Sequence, residues 1–192
     1  SCQGWNLVSF AVDAPKQPYA NRGPPTDPAG NRPRQGHADA VTTVVETTPG
    51  NVLVGMPSYA EASWMAEVVR DRVARPVLLD ESSSDAATEA LKSDFFDGPP
   101  KALVTSIRGT LTEGVDYRGD RLAGAVICGV PIVSTASPTV SAVETAYDRQ
   151  FSRDGFETAL TVPAVRKARQ AIGRVIRGPE EVGVRVLVDG RY

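Results

Sequence analysis

Nowhere in this chain does a Lys follow a Gly, so it holds no phosphate loop ending in Gly-Lys-Ser/Thr. Its two cysteines, Cys2 and Cys128, are too few for a disulfide framework, and Cys128 lies in an apolar run where a small buried thiol is the ordinary reading. The single histidine, His37, has no Cys or His near it in sequence and is assigned no metal role; no metal site is expected. No apolar run approaches the roughly 20 residues that cross a bilayer, which excludes a membrane-spanning helix. The first residues also lack the charged, apolar and small-residue order of a signal peptide, so the expected compartment is the cytoplasm. A formal net charge of −2 argues against a chain that holds nucleic acid by its overall field. Any grip on phosphate must come from local placement of cations.

What remains is one domain's worth of chain. At 192 residues and 41% hydrophobic content it suffices for a single sizeable core. Residues 13–36 carry six of the 15 prolines, with Gly, Asn and Arg between them, so residues 1–36 are expected to be an irregular segment or linker ahead of a domain over 37–192. From there strands and helices alternate. A helix is expected over 37–48, a strand over 51–56, a helix over 59–73, a strand over 76–79, a helix over 85–96 and a strand over 101–107. A strand over 124–130, helices over 138–151 and 162–177, and a strand over 183–189 follow. The runs Val52-Leu-Val, Pro76-Val-Leu-Leu, Ala102-Leu-Val and Ala125-Val-Ile are continuously apolar, as strands covered on both faces should be. The pattern predicts an α/β fold with a mainly parallel sheet between two layers of helices. Ligands of such sheets bind beyond the carboxyl ends of the strands.

Two stretches carry chemistry. At about 100° per residue, Arg166, Gln170, Gly173, Arg174 and Arg177 share one helix face, and Val165, Ala168, Ile172, Val175 and Ile176 share the other. Paired guanidinium forks and an amide suit a phosphate chain, and a helix-interior Gly such as Gly173 admits a close neighbour at a cost of about 1 kcal/mol relative to Ala. The alternative is a solvated basic face. Upstream, Arg108-Gly-Thr-Leu-Thr-Glu-Gly-Val-Asp-Tyr117 joins the apolar run 102–107 to the run 124–131, which reads as strand, polar loop, strand.

In these stretches the sequence resembles the superfamily 2 helicases of the DinG and XPD family. The loop 108–117 is similar to that family's motif V, and Gln170-Ala-Ile-Gly-Arg-Val-Ile-Arg177 to its motif VI. Asn51-Val-Leu-Val-Gly-Met-Pro-Ser-Tyr59 is similar to motif IV, with Gly55-Met56 replacing the commoner aromatic strand. The resemblance extends over about residues 50–192 and implies a RecA-like, P-loop NTPase-type three-layer domain, the second and C-terminal one of a two-domain DNA helicase. The phosphate loop and the Asp-Glu-Ala-His type segment, absent here, belong to the first domain.

The family's roles then fall on particular residues. The resemblance implies that Arg174 and Arg177 stabilise charge on the transferred phosphate of ATP, and that Gln170 positions the phosphate or the attacking water. Gly173 and Gly114 allow close approach of the nucleotide. Glu113 and Asp116 accept hydrogen bonds from its ribose or from the arginines, or else cap their own loop. Ser58, Tyr59, Arg108, Thr110 and Thr112 face the sugar–phosphate backbone of single-stranded DNA, which positions a strand without reading sequence. Tyr59 packing its ring at a helix start is an equal alternative, and Trp64, among Ala62, Met65 and Val68, belongs to the core. The implied cofactors are ATP and Mg2+, bound mainly by the first domain, and the implied partners are single-stranded DNA and that N-terminal RecA-like domain. Two cysteines cannot supply the four thiolates of the iron–sulfur cluster of the XPD branch, so no such cluster is expected in this stretch. A helicase-like binding or regulatory module without ATPase activity, and an unrelated α/β phosphotransferase, are the competing readings.

Overall fold

A computed structural model describes residues 7–12, 32–81, 84–107, 109–113, 117, 121–129 and 183–188. The strands are β1 (Leu7–Val12), β2 (Val52–Met56), β3 (Val77–Leu79), β4 (Ala102–Ser106), β5 (Gly124–Cys128) and β6 (Gly183–Val188). The helices are α1 (Arg32–Thr47), α2 (Tyr59–Arg70), α3 (Asp85–Phe96) and the single turn α4 (Thr110–Glu113). All strand pairs are parallel, in the order β1-β6-β5-β2-β4-β3. Every residue of β2, β4 and β5 is buried, which is why their sequences run largely apolar without alternation.

The two faces of the sheet build two cores. Val52, Val54, Met56, Val104 and Val126 point to one side, where Val41 and Val45 of α1 and Trp64, Met65 and Val69 of α2 cover them. Leu53, Leu103, Ala125 and Ile127 point to the other, against Phe95 of α3, Leu111 of α4, Ile107, Tyr117 and Leu122. The result is the expected helix–sheet–helix sandwich. Trp64 is 5% exposed and belongs to the first core. Gly55 is explained by packing: a Cβ there would lie 2.6 Å from Ile127 Cδ1 and 3.2 Å from Ile107 Cγ1, so isoleucines from two other segments occupy the space.

Three sequence expectations are corrected. Residues 1–36 are not irregular throughout. Leu7–Val12 pairs in register with Gly183–Val188, a strand contributed from near the opposite end of the chain, and α1 begins at Arg32 instead of His37. Pro33 is tolerated in the first helical turn because its missing N–H would have no intrahelical partner there. His37 therefore lies inside α1 and is buried. Second, α2 stops at Arg70, three residues short of the expected end, where Arg72 N–H turns to the carbonyl of Val69 and tightens the last turn. Third, part of the expected polar loop after β4 is helical, the turn α4 over Thr110–Glu113. The helices expected over 138–151 and 162–177 lie outside the described residues.

Candidate functional site

Because every strand runs the same way, the carboxyl ends of β2, β3 and β4 meet at one edge. Backbone hydrogen bonds tie these ends together beyond the strands: Ile107 N–H donates to Met56 O at 2.8 Å, and Asp80 N–H to Val104 O at 2.9 Å. The Ser58-Tyr59 turn, Ile107, the segment 109–113 and Asp80 thus lie on the same edge.

Ser58 is the N-cap of α2. Its backbone is extended, with φ −150°, and its hydroxyl oxygen accepts the N–H of Glu61 at 3.2 Å. The side chain is exposed, and the acceptor role leaves its O–H to donate outward. Ser58 and Glu61 have the spacing of a capping box, yet the Glu61 carboxylate turns to Arg34 of α1 instead. Both partners are buried, and the guanidinium Nη2 lies 2.5 Å from Oε1 with Nε 3.0 Å from Oε2. This fork ties the start of α1 to the first turn of α2. Tyr59, half-buried, opens α2, and its hydroxyl reaches the loop after β4.

That reach is recorded at Gly109. A Cβ there would stand 2.8 Å from Tyr59 Oη, 3.0 Å from Ser106 O and 3.0 Å from Thr105 Oγ1. No side chain fits without displacing its neighbours. Gly109 N–H donates to Ser106 O at 2.8 Å, and Thr112 N–H to Gly109 O at 3.0 Å, so the chain turns directly into α4. Leu111 and Tyr117 are fully buried, and the Tyr117 hydroxyl donates to Leu111 O at 2.6 Å, anchoring α4 from below.

The expected DNA-facing residues separate on this geometry. Ser58 and Thr110 are exposed at the edge, and Tyr59 is half-exposed with its hydroxyl over Gly109. Thr112, expected to face DNA, is fully buried, and its hydroxyl donates to Ser106 O at 2.9 Å, which holds α4. Glu113 ends α4. Arg108, Gly114, Asp116, Gln170, Gly173, Arg174 and Arg177 lie outside the described residues. Two members of the edge went unread in the sequence: Asp80, 4% exposed, accepts the Thr105 hydroxyl at 2.7 Å. A carboxylate directly after an apolar strand and a hydroxyl inside one are the signals that pointed to them. Among the described residues, no three His, Cys, Asp or Glu side chains gather as a metal site, and no helix is long and apolar enough to cross a membrane.

A parallel α/β sandwich with its loops gathered at the carboxyl edge defines a RecA-like domain. A solved XPD helicase superposes on 96% of this chain, and on 32% of its own, with a TM-score of 0.70; at 22% identity the likeness is one of fold. The family model for the helicase C-terminal domain matches residues 41–192, and the chain belongs to that family, in its XPD and DinG branch. It is 29% identical over 159 residues to the general transcription and DNA repair factor IIH helicase subunit XPD of Schizosaccharomyces pombe, covering 76% of this chain and 20% of that protein. It is 30% identical over 149 residues to the ATP-dependent DNA helicase YoaA of Escherichia coli, covering 77% of this chain and 22% of the relative. The chain thus spans about a fifth of the length of these curated relatives.

Proposed function

We propose that this domain is the second motor half of an ATP-dependent DNA helicase that moves 5′ to 3′ along single-stranded DNA, working against an N-terminal RecA-like domain of the same protein. The observation that carries the reading is the placement of the loop resembling motif V: it leaves β4 at the carboxyl edge, packed against the Ser58-Tyr59 turn that resembles motif IV. Family membership over residues 41–192, with relatives named as helicases, supports it over a binding module or an unrelated phosphotransferase.

In this reading ATP with Mg2+ lies between the two domains, held mainly by the first, and hydrolysis supplies the free energy of translocation. Arg174 and Arg177 lower the barrier by meeting charge that spreads over the transferred phosphate, and Gln170 orders the phosphate or the water. Glu113 and Asp116 join the nucleotide side of the loop, with Gly114 and Gly173 leaving room for it. Ser58, Tyr59, Thr110 and Arg108 touch the sugar–phosphate backbone of the strand.

The test uses a protein that joins this domain to its phosphate-loop domain. Arg174→Ala and Arg177→Ala should each lower ATPase turnover by about 10²-fold or more while changing stability by less than about 0.5 kcal/mol. Parent-like hydrolysis by both variants would make these arginines surface charges and remove the motor reading.

A further inference from the structure

We infer that the buried pair of Asp80 and Thr105 is a positioning device that sets the Gly109–Glu113 segment for the strand of DNA. Its effect on turnover rests on the motor reading above; its effect on the segment does not.

A carboxyl group taken out of water is tolerated only where hydrogen bonds replace its hydration. Asp80 is 4% exposed and Thr105 is fully buried, and the Thr105 hydroxyl donates to Asp80 Oδ2 at 2.7 Å. The rest of β4 leading into this point, Ala102, Leu103 and Val104, is fully buried and apolar. A Val at 105 would fill nearly the same volume, and replacing both members of a buried polar pair by apolar groups is often neutral or stabilising. Packing volume alone therefore does not call for a hydroxyl at 105.

Its location does. Thr105 Oγ1 is one of the three atoms that close the space over Gly109. The next residue, Ser106, uses its carbonyl to accept both the Gly109 N–H at 2.8 Å and the Thr112 hydroxyl at 2.9 Å. By fixing the Thr105 side chain, Asp80 fixes the peptide on which the turn into α4 hangs. The exposed Thr110 inherits its position from that turn. Arg108 lies in sequence between the buried Ile107 and Gly109. Neither Asp80 nor Thr105 need touch DNA, because a misplacement of about 1 Å at the contacting groups is enough to weaken a preorganised site.

The test compares Thr105→Val, which removes the donor at constant shape, with Thr105→Ser, which retains it. In this chain, hydrogen exchange at the Gly109 and Thr112 amides should be about 10-fold faster in Thr105→Val, with the Leu53 and Val54 amides within about 2-fold of the parent, and Thr105→Ser should restore the parent rates. In the protein joined to a phosphate-loop domain, Thr105→Val should raise the single-stranded DNA concentration for half-maximal ATPase by about 5-fold or more, leave the rate without DNA within about 2-fold, and be rescued by Thr105→Ser. Unchanged exchange at Gly109 and Thr112, or faster exchange in β2 as well, overturns the positioning role. Local loosening with unchanged DNA half-saturation overturns the link to DNA. If DNA does not stimulate even the parent, the motor reading falls, and the exchange comparison still decides whether Asp80 and Thr105 position the segment.

Discussion

Replacing Gly109 by Ala sets two effects of opposite sign against each other. Gly109 does not adopt the left-handed backbone that only glycine favours, so Ala would gain about 0.4–1 kcal/mol from a less disordered unfolded chain. Against this, the new Cβ would meet Tyr59 Oη at 2.8 Å, Ser106 O at 3.0 Å and Thr105 Oγ1 at 3.0 Å. The Ser106 carbonyl cannot withdraw easily, because it holds Gly109 N–H and the Thr112 hydroxyl, and Thr105 Oγ1 is held by Asp80. Forcing a methyl into a filled site costs about 1–3 kcal/mol, so the packing cost wins and the net loss should be about 1–2 kcal/mol. Tyr59 is the neighbour that a second substitution can shorten. Tyr59→Phe removes the closest of the three atoms, and in that background Gly109→Ala should cost less by about 0.5–1 kcal/mol. Urea unfolding of the parent, the two single variants and the double variant measures this coupling through midpoint shifts at constant slope. A Gly109→Ala variant within about 0.5 kcal/mol of the parent, or equal costs with and without Tyr59→Phe, would refute the packing of Tyr59 over this loop.

Arg34→Ala leaves the buried Glu61 carboxylate without its bidentate partner and should destabilise by about 3–5 kcal/mol, whereas Arg34→Met with Glu61→Leu should recover most of that loss; thermal melts of the two variants compare them. Asn51→Ala removes bonds donated to Phe95 O at 3.0 Å and Arg121 O at 3.2 Å and one accepted from Lys101 N–H at 2.8 Å, and should cost about 2–3 kcal/mol in urea unfolding. Single-stranded DNA binding should be sequence-tolerant and fall with salt at a log–log slope near −0.7 per neutralised phosphate, flattened by Arg108→Ala; anisotropy titrations with unrelated oligonucleotides read both slope and base preference.

The central strands were legible because parallel strands buried on both faces run largely apolar without alternation, a pattern each segment states locally. Val52–Met56, Ala102–Ser106 and Gly124–Cys128 fall within one or two residues of expectation, and α3 falls on it, its start marked by Ser84 capping the N–H of Ala87. Trp64 was readable as core from helical spacing among apolar neighbours. The order of the motif-like stretches, and with it the family, was likewise a property of the chain alone. Glycine at 109 stood out in no sequence reading; what favours it is three oxygen atoms, from Tyr59, Thr105 and Ser106, that converge only in the folded chain.

Tertiary structure decided what depends on partners distant in sequence. Leu7–Val12 is an ordinary apolar run until Gly183–Val188 offers it an edge to pair with. Arg34 reads as one more residue in a proline-rich stretch until α2 presents Glu61, and Thr112 reads as a surface hydroxyl until the turn after β4 rolls it beneath Ser106 O. Asp80 and Thr105 are unremarked in sequence and become a pair because β3 and β4 run parallel side by side and end at the same edge. Periodicity and composition describe what a segment buries, whereas which polar group meets which is set by strand order and register, and those exist only in the assembled sheet.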